Sequence, residues 1–350
     1  MARATKLTGS PLAERLSSQL LAGEPARDAV EVTRRLLAVQ GQDPRGARLA
    51  IRVRSSGLTA ADVDRALSED RSLLITWVNR GTLHLVASED YPWLHALTSP
   101  TIAANNARRL AQEGVSPAAA EKGLATIDRA LAGEGPLTRS QLRERIEAAG
   151  VRTEGQALIH LLLLASLRGA IVRGPMIGSQ QAFVLVRDWL GEPDPVDRDS
   201  ALAELARRYL AGHAPADERD LAKWAGLPLR DVRAALTSIA SELHERADGL
   251  LELVRRSAPA PPPPPLLLGA FDPLLLGWRS RGELLGENQQ IVTTNGLFRP
   301  FALLDGRAVA IWALARGEVE IRPFTKLARA VQQALERDGE DVLRYLGVGS

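Results

Sequence analysis

The chain has 350 residues, a length for two or three domains, and 45% of them are hydrophobic, enough for packed cores. It contains no cysteine, which excludes disulfides, thiolate metal sites and a cysteine nucleophile. Its net charge is +2, and the basic residues are nearly all arginine, with lysine only at Lys6, Lys122, Lys223 and Lys326; arginine suits nucleic-acid phosphate, although a GC-rich genome produces the same bias.

The N-terminus lacks a charged-then-apolar signal segment, and the longest apolar run, Leu161 to Leu167, is too short to span a bilayer. A cytoplasmic protein, associated with the nucleoid through DNA, is expected. Ser10-Pro11 opens a first helix that runs to about Leu21 and is broken by Gly23-Glu24-Pro25. Ala29, Val32, Leu36 and Leu37 recur at helical spacing, which predicts a second helix from about Arg27 to Gln40. The stretch Val39-Gln40-Gly41-Gln42-Asp43-Pro44-Arg45 organises the chain around it. Gln40 falls on the last helical turn and Gly41 suits a left-handed C-terminal cap. Asp43-Pro44 reads as the N-cap and first position of a third helix, with Ala47, Leu49, Ala50 and Val53 inward. On spacing alone, a capped corner with two solvated glutamines accounts for this stretch.

Thr59-Ala60-Ala61-Asp62 caps a fourth helix. Leu73, Leu74, Trp77 and Val78 predict a further helical face ended by Arg80-Gly81, and Thr82 to Val86 alternates as a strand. Then comes a second pass: Leu137-Thr138 starts a helix to Ala149, Glu154 to Leu167 forms another, and strands begin at Ala170 and Gln181. Asn79-Arg80-Gly81-Thr82-Leu83 and Leu167-Arg168-Gly169-Ala170-Ile171 read as an internal repeat. A third pass places Leu221, Trp224 and Ala225 on one helix, Val232, Leu236 and Ile239 on the next, and Leu250 to Val254 on a strand. Helix, turn, helix and hairpin, three times over, describes tandem winged helix-turn-helix domains.

Ala258 to Pro265 is a proline tract with the composition of a linker. Beyond it the pattern changes to strands, and Leu266-Leu267-Leu268 leads to the stretch Phe271 to Arg281. Phe298 to Leu304 and Ala308 to Ala315 flank an Asp305-Gly306 turn, Glu318 to Phe324 adds a strand, and Thr325 to Asp338 closes as a helix. The fold class expected is mainly α with β (α+β), ending in a C-terminal antiparallel β unit. The expected domains are 1–100, 101–195, 196–258 and 259–350.

Taken together, four segments resemble the AlkZ/YcaQ family of winged-helix DNA glycosylases. They are Val39 to Pro44 with Ala47-Arg48-Leu49; Trp77 to Val86; Phe271-Asp272-Pro273 with Leu275-Leu276-Gly277 and Arg279-Ser280-Arg281; and Phe298-Arg299-Pro300 with Leu304 to Arg307 and Trp312. The resemblance implies a C-shaped array holding duplex DNA that contains alkylated bases. It also implies that the Gln-x-Gln motif, here Gln40 and Gln42, is catalytic. The middle position departs from the family, which has a larger apolar residue where this chain has Gly41.

The chemistry fits glutamine. An N-alkylated purine already carries positive charge and leaves without being protonated. A carboxamide oxygen can stabilise an oxocarbenium-like sugar and hold a water, although it is no base at neutral pH. Asp43 is the rival base, but its place before Pro44 favours capping. DNA contacts are expected from Arg45, Arg48, Arg80, His84, Arg279 and Arg281, against the alternatives of solvated charge pairs and a structural histidine. The histidines show no metal-ligand spacing and no nucleotide-binding loop appears, so no metal and no cofactor are expected. The expected protein is a monomeric, monofunctional glycosylase; the alternatives are a winged-helix regulator without activity and a lesion-binding protein that does not cut.

Overall fold

A computed structural model describes residues 11–192, 194–254, 258–293 and 296–348. Helix α1 (Pro11–Ser18) and α2 (Ala29–Leu36) lead to a two-residue strand, β1 (Val39–Gln40), and to α3 (Pro44–Arg52) and α4 (Ala60–Ser68). Ser10, expected to open the first helix, lies outside the described residues. Asp28 caps α2, its carboxylate accepting from the Glu31 backbone N–H. The helix ends earlier than its spacing predicts. Leu37 takes a left-handed φ of 66°, so Gln40 stands on extended backbone rather than on a helical turn. The reversal expected at Gly41 is made by a buried leucine, because burial of its side chain offsets the strain of that backbone. Thr59 and Asp62 cap α4 as expected, with both the Thr59 N–H and its hydroxyl donating to the Asp62 carboxylate at 2.8 Å.

The hairpin β2 (Leu73–Val78) and β3 (Thr82–Ala87) replaces the helix expected after Asp70. All six residues of β2 are buried, and a short run buried on both faces carries no period that separates strand from helix. Asn79-Arg80-Gly81 is thus the hairpin turn, with Asn79 at φ 57° and Gly81 at φ 80°. Its sequence counterpart Leu167-Arg168-Gly169 instead joins a helix to a strand. The two stretches are alike because both reverse the chain with a left-handed glycine, and they are not structural copies.

Two long helices without an expected counterpart come next, α5 (Tyr91–Gln112, with Pro100 inside it) and α6 (Pro117–Glu134). After them stand α7 (Arg139–Ala148), α8 (Ala157–Leu167), β4 (Ile171–Ile177), β5 (Gln180–Leu185), α9 (Val186–Trp189) and α10 (Arg198–His213). The third pass is α11 (Glu218–Ala225), α12 (Leu229–Ser238), β6 (Leu243–Glu245) and β7 (Leu251–Leu253). The order helix, helix, hairpin therefore occurs three times along the chain, in an α+β protein. The last segment holds β8 (Leu266–Leu268), α13 (Pro273–Leu276), α14 (Gly282–Leu285), β9 (Phe301–Leu304), β10 (Arg307–Ala315), β11 (Glu318–Pro323) and α15 (Arg329–Leu346). Pro273 to Leu276 is a capped helical turn rather than strand, because Asp272 accepts the Leu274 N–H at 2.9 Å.

These elements form two compact units. Unit 2 comprises Asp64–Leu202 with Ala225–Leu227. Its strands neighbour one another in the order β3, β2, β4, β5. Helix α8, apolar but for His160 and Ser166, runs through its core, where Leu158, Leu161 and Leu162 meet Ile127, Leu131, Leu142 and Ile146.

Unit 1 comprises Met1–Val63, Ala203–Trp224 and Pro228–Ser350. Its antiparallel sheet has the order β11, β10, β9, β8. Leu49 of α3 enters the core of that sheet with Leu267, Ala302, Trp312 and Tyr345. Within the proline tract, which is mostly exposed, the Ala260 N–H donates to Ser17 Oγ at 3.0 Å. No described helix is long and apolar enough to cross a membrane.

Candidate active site

Helix α3 positions the Gln40–Gln42 corner, and its own anchoring starts at its far end. Arg54 and Asp272 are fully buried and paired by two bonds of 2.8 Å. Arg54 also donates to the Gln19 carbonyl at 2.9 Å, the Ala50 carbonyl at 2.9 Å and Gln19 Oε1 at 3.1 Å. All five guanidinium N–H groups are therefore accepted, which is the condition under which a buried ion pair is tolerated. Arg52 reaches Asp338, Asp341 and the Leu267 carbonyl at 2.8–3.0 Å. Together the two arginines fasten α3 to β8, α13 and α15.

Near its start, α3 touches backbone. A Cβ on Gly46 would stand 2.3 Å from the Ala270 carbonyl oxygen, and one on Gly269 would stand 3.0 Å from Gly46 Cα. Glycine at both positions lets the helix lie directly on the chain leaving β8. Sequence reasoning does not single out Arg54, Gly46 or Gly269, and it notes Asp272 only within a motif, with no role. Asp272 carries a signal, a lone acid within the apolar stretch from Leu266 to Trp278.

At the corner itself, Asp43 caps α3 as expected, its carboxylate accepting the Arg45 N–H at 3.0 Å with Pro44 in the first turn. Gln42, just before it, is exposed. Gln40 is buried, and its Nε2 donates a short hydrogen bond to Gln42 Oε1. Gln40 Oε1 is buried with no hydrogen-bond partner among the described residues. A buried acceptor without a donor costs about 1–3 kcal/mol, so it calls for an explanation.

Arg45 and Arg48 share this corner. Arg45 is exposed on the first turn of α3, whereas Arg48 is buried and folds back to donate to the Pro44 carbonyl at 2.9 Å. Arg279 and Arg281 belong to the same unit but to another segment. Arg279 is held by Asp217 at 3.0 Å and Asp220 at 3.4 Å. Arg281 stacks over the Phe298 ring at 5.2 Å and donates to the Leu275 carbonyl. Arg80 and His84 belong to unit 2: Arg80 is exposed in the β2–β3 turn, and His84 is buried on β3 with Nδ1 2.9 Å from the Thr82 carbonyl. Burial, and secondarily the charge of Arg80, pushes the His84 pKa down to about 3, so its imidazole is neutral near pH 7.

A family model described as DNA glycosylase AlkZ-like matches residues 33–345. The chain is similar to a protein of Streptomyces sahachiroi named interstrand DNA cross-link repair glycosylase, with 29% identity over 95% of either chain. Its fold is similar to the solved structure of Streptomyces sahachiroi DNA glycosylase AlkZ, with a TM-score of 0.80, 25% identity and 96% of either chain covered.

Proposed function

Because the chain belongs to the AlkZ-like family of DNA glycosylases, we propose that it hydrolyses the N-glycosidic bond of N-alkylated, cationic purines in duplex DNA, with Gln40 and Gln42 as its catalytic pair. The observation that carries this reading is the buried, partnerless Gln40 Oε1 beside an exposed Gln42. Gln40 holds Gln42 through its amide N–H, which leaves Gln42 able to turn a second lone pair toward a water. The water oxygen bonds to C1′ as the bond from C1′ to the purine nitrogen breaks. The bonding pair goes to the departing purine and neutralises it, and the attacking water loses its proton to solvent. The carboxamide oxygens face the positive charge that develops on the sugar, where a fixed dipole acts without reorganising.

Asp43 is not needed as base, since its carboxylate caps α3. Backbone cleavage through a Schiff base would need a lysine at the sugar, and the sequence has none in or beside the corner. The enzyme is therefore read as monofunctional. The related Streptomyces protein is named for interstrand cross-link repair; a cross-link through a purine nitrogen presents the same cationic leaving group, so it falls within the proposed substrate class. Because the family and its full-length relatives are glycosylases, a regulator without activity is not favoured.

The test is incubation with duplex DNA containing N7-methylguanine, then cleavage at abasic sites. Free base release with strand breaks only after that treatment is expected. Absence of abasic sites, or a protein–DNA adduct trapped by borohydride, would overturn the reading.

A further inference from the structure

Arg173 of unit 2 is a half-buried arginine without an acid. It stands on β4 opposite Ile75 of β2 and Phe183 of β5. Its guanidinium lies 5.1 Å from the Trp77 ring and 4.9 Å from the Phe183 ring, two rings stacked at an interplanar angle of 17°. Its Nε is buried with no hydrogen-bond partner, and no ion pair reaches it among the described residues. The neighbouring charge that acts on it is Arg139, of like sign; burial first, and then that charge, lower its pKa to about 10.

The surroundings are fixed. Leu137 and Phe183 exchange both backbone hydrogen bonds, at 3.2 and 2.8 Å, which sets the start of α7 against β5. Arg139, the first residue of α7, is exposed. Gln181 is two residues from Phe183, hence on the same face of β5. Its Nε2 is also buried without a partner.

Arg52 and Arg54 are buried against carboxylates; the charge that acts on Arg173 is a second cation instead. Both partnerless groups here, Arg173 Nε and Gln181 Nε2, are donors. What would satisfy them is therefore an acceptor, and where the charge acting on Arg173 is a second cation, that acceptor is an anion. Stacking on Trp77 and Phe183 fixes the guanidinium plane while leaving its edge to bind, the geometry used for phosphate oxygens.

We infer that Arg173 and Arg139, on the Trp77–Phe183 platform, form an anion subsite that takes a phosphodiester of the DNA backbone. This rests on DNA as the substrate but not on the assignment of the glutamines. The subsite adds affinity without sequence preference, and it takes no part in bond cleavage.

Fluorescence anisotropy with unmodified duplex DNA over a range of salt tests it, using wild type, Arg173→Met and Arg139→Gln. Methionine keeps packing on the rings and loses the charge. Each variant is expected to bind about tenfold more weakly at low salt. The slope of log affinity against log salt should fall by about one per variant. Failure of the glutamine assignment would show separately, as excision unaffected by Gln42→Ala.

Wild-type affinity and slope in a folded Arg173→Met overturns the subsite; if that variant does not fold, the same result in Arg139→Gln, at an exposed position, does so. Inorganic phosphate at constant ionic strength distinguishes the source of the anion. Phosphate that raises the melting temperature of wild type but not of the variants, while DNA affinity is the same in all three, would make this a free-phosphate site and overturn the DNA assignment.

Discussion

The two ends of α3 treat buried polar atoms in opposite ways. Beyond its C-terminus, Arg54 has an acceptor for every donor and a fully buried carboxylate opposite its charge. Ahead of its N-terminus, Gln40 is buried with an idle acceptor, and Gln42 and Arg45 face outward. Satisfied groups at one end give the helix a single position. On the proposed assignment, the unsatisfied groups at the other use that fixed position, since a catalytic dipole acts only if it does not have to move.

Breaking the anchored end should have the largest effect. Asp272→Ala leaves the Arg54 charge buried without its acid, and a loss of about 3–5 kcal/mol of stability is expected, measured by urea unfolding. A well-folded, wild-type-stable Asp272→Ala would show that the anchor is not needed. At the other end the effect is on rate. Gln42→Ala should lose about 10²-fold or more in single-turnover excision, about 2.7 kcal/mol, while keeping lesion-DNA affinity and melting temperature. Gln40→Ala should cost less, as it removes the support rather than the contact. Unchanged excision by folded Gln42→Ala would end the catalytic assignment.

The anchored end should also be sensitive to acid. His213 is buried beside Tyr209 and Trp278, and burial, with smaller contributions from Arg54, Arg35 and Arg15, pushes its pKa down to about 3. The unfolded state protonates near pH 6.5 and the folded state does not, so stability is full above that pH and is lost as pH falls toward 3. Between pH 7 and pH 5 this one group should cost about 2 kcal/mol. His213→Phe should flatten the profile; an unchanged profile would mean that other groups set it. An effect of similar size, about 1–3 kcal/mol, is expected from Gly46→Ala, through the forced separation of α3 from the Ala270 carbonyl. If its excision falls further than its stability, the start of α3 is where the corner is positioned.

The start of α3 is legible in the sequence because its signal is local: Asp43 and Pro44 cap it by rules that involve adjacent residues. The Thr59–Asp62 cap and the C-terminal hairpin at Asp305-Gly306 are legible for the same reason. The end of α2 is not, because a buried leucine makes the reversal for which the rule favours glycine. Strand β2 escapes because burial on both faces removes its alternation. As for the candidate site, the two glutamines are found through their resemblance to a family. Spacing alone reads them as a plain corner, and the burial of one beside the exposure of the other has no trace in sequence. Arg54 and Asp272, 218 positions apart, have no local signal of being partners. Arg279 reads as a phosphate contact from sequence, and only the fold brings Asp217 and Asp220 against it.

That long reach bears on how the protein is made. Unit 2 is nearly one continuous stretch, whereas unit 1 is assembled from both ends of the chain. The partners of Arg52 lie 286 and 289 residues downstream. At ordinary rates of translation, roughly 15–60 s separate the emergence of α3 from that of the acids that lock it. The glutamines are thus made early and set late. A chain ending before Asp338 is expected to show rapid amide exchange in α3 and no excision, with unit 2 still protected. Slow exchange in α3 of such a chain would show that the helix is held without its C-terminal acids. On the proposed function, the chain is expected to be inert until its synthesis is almost complete, because the acids that lock α3 emerge last.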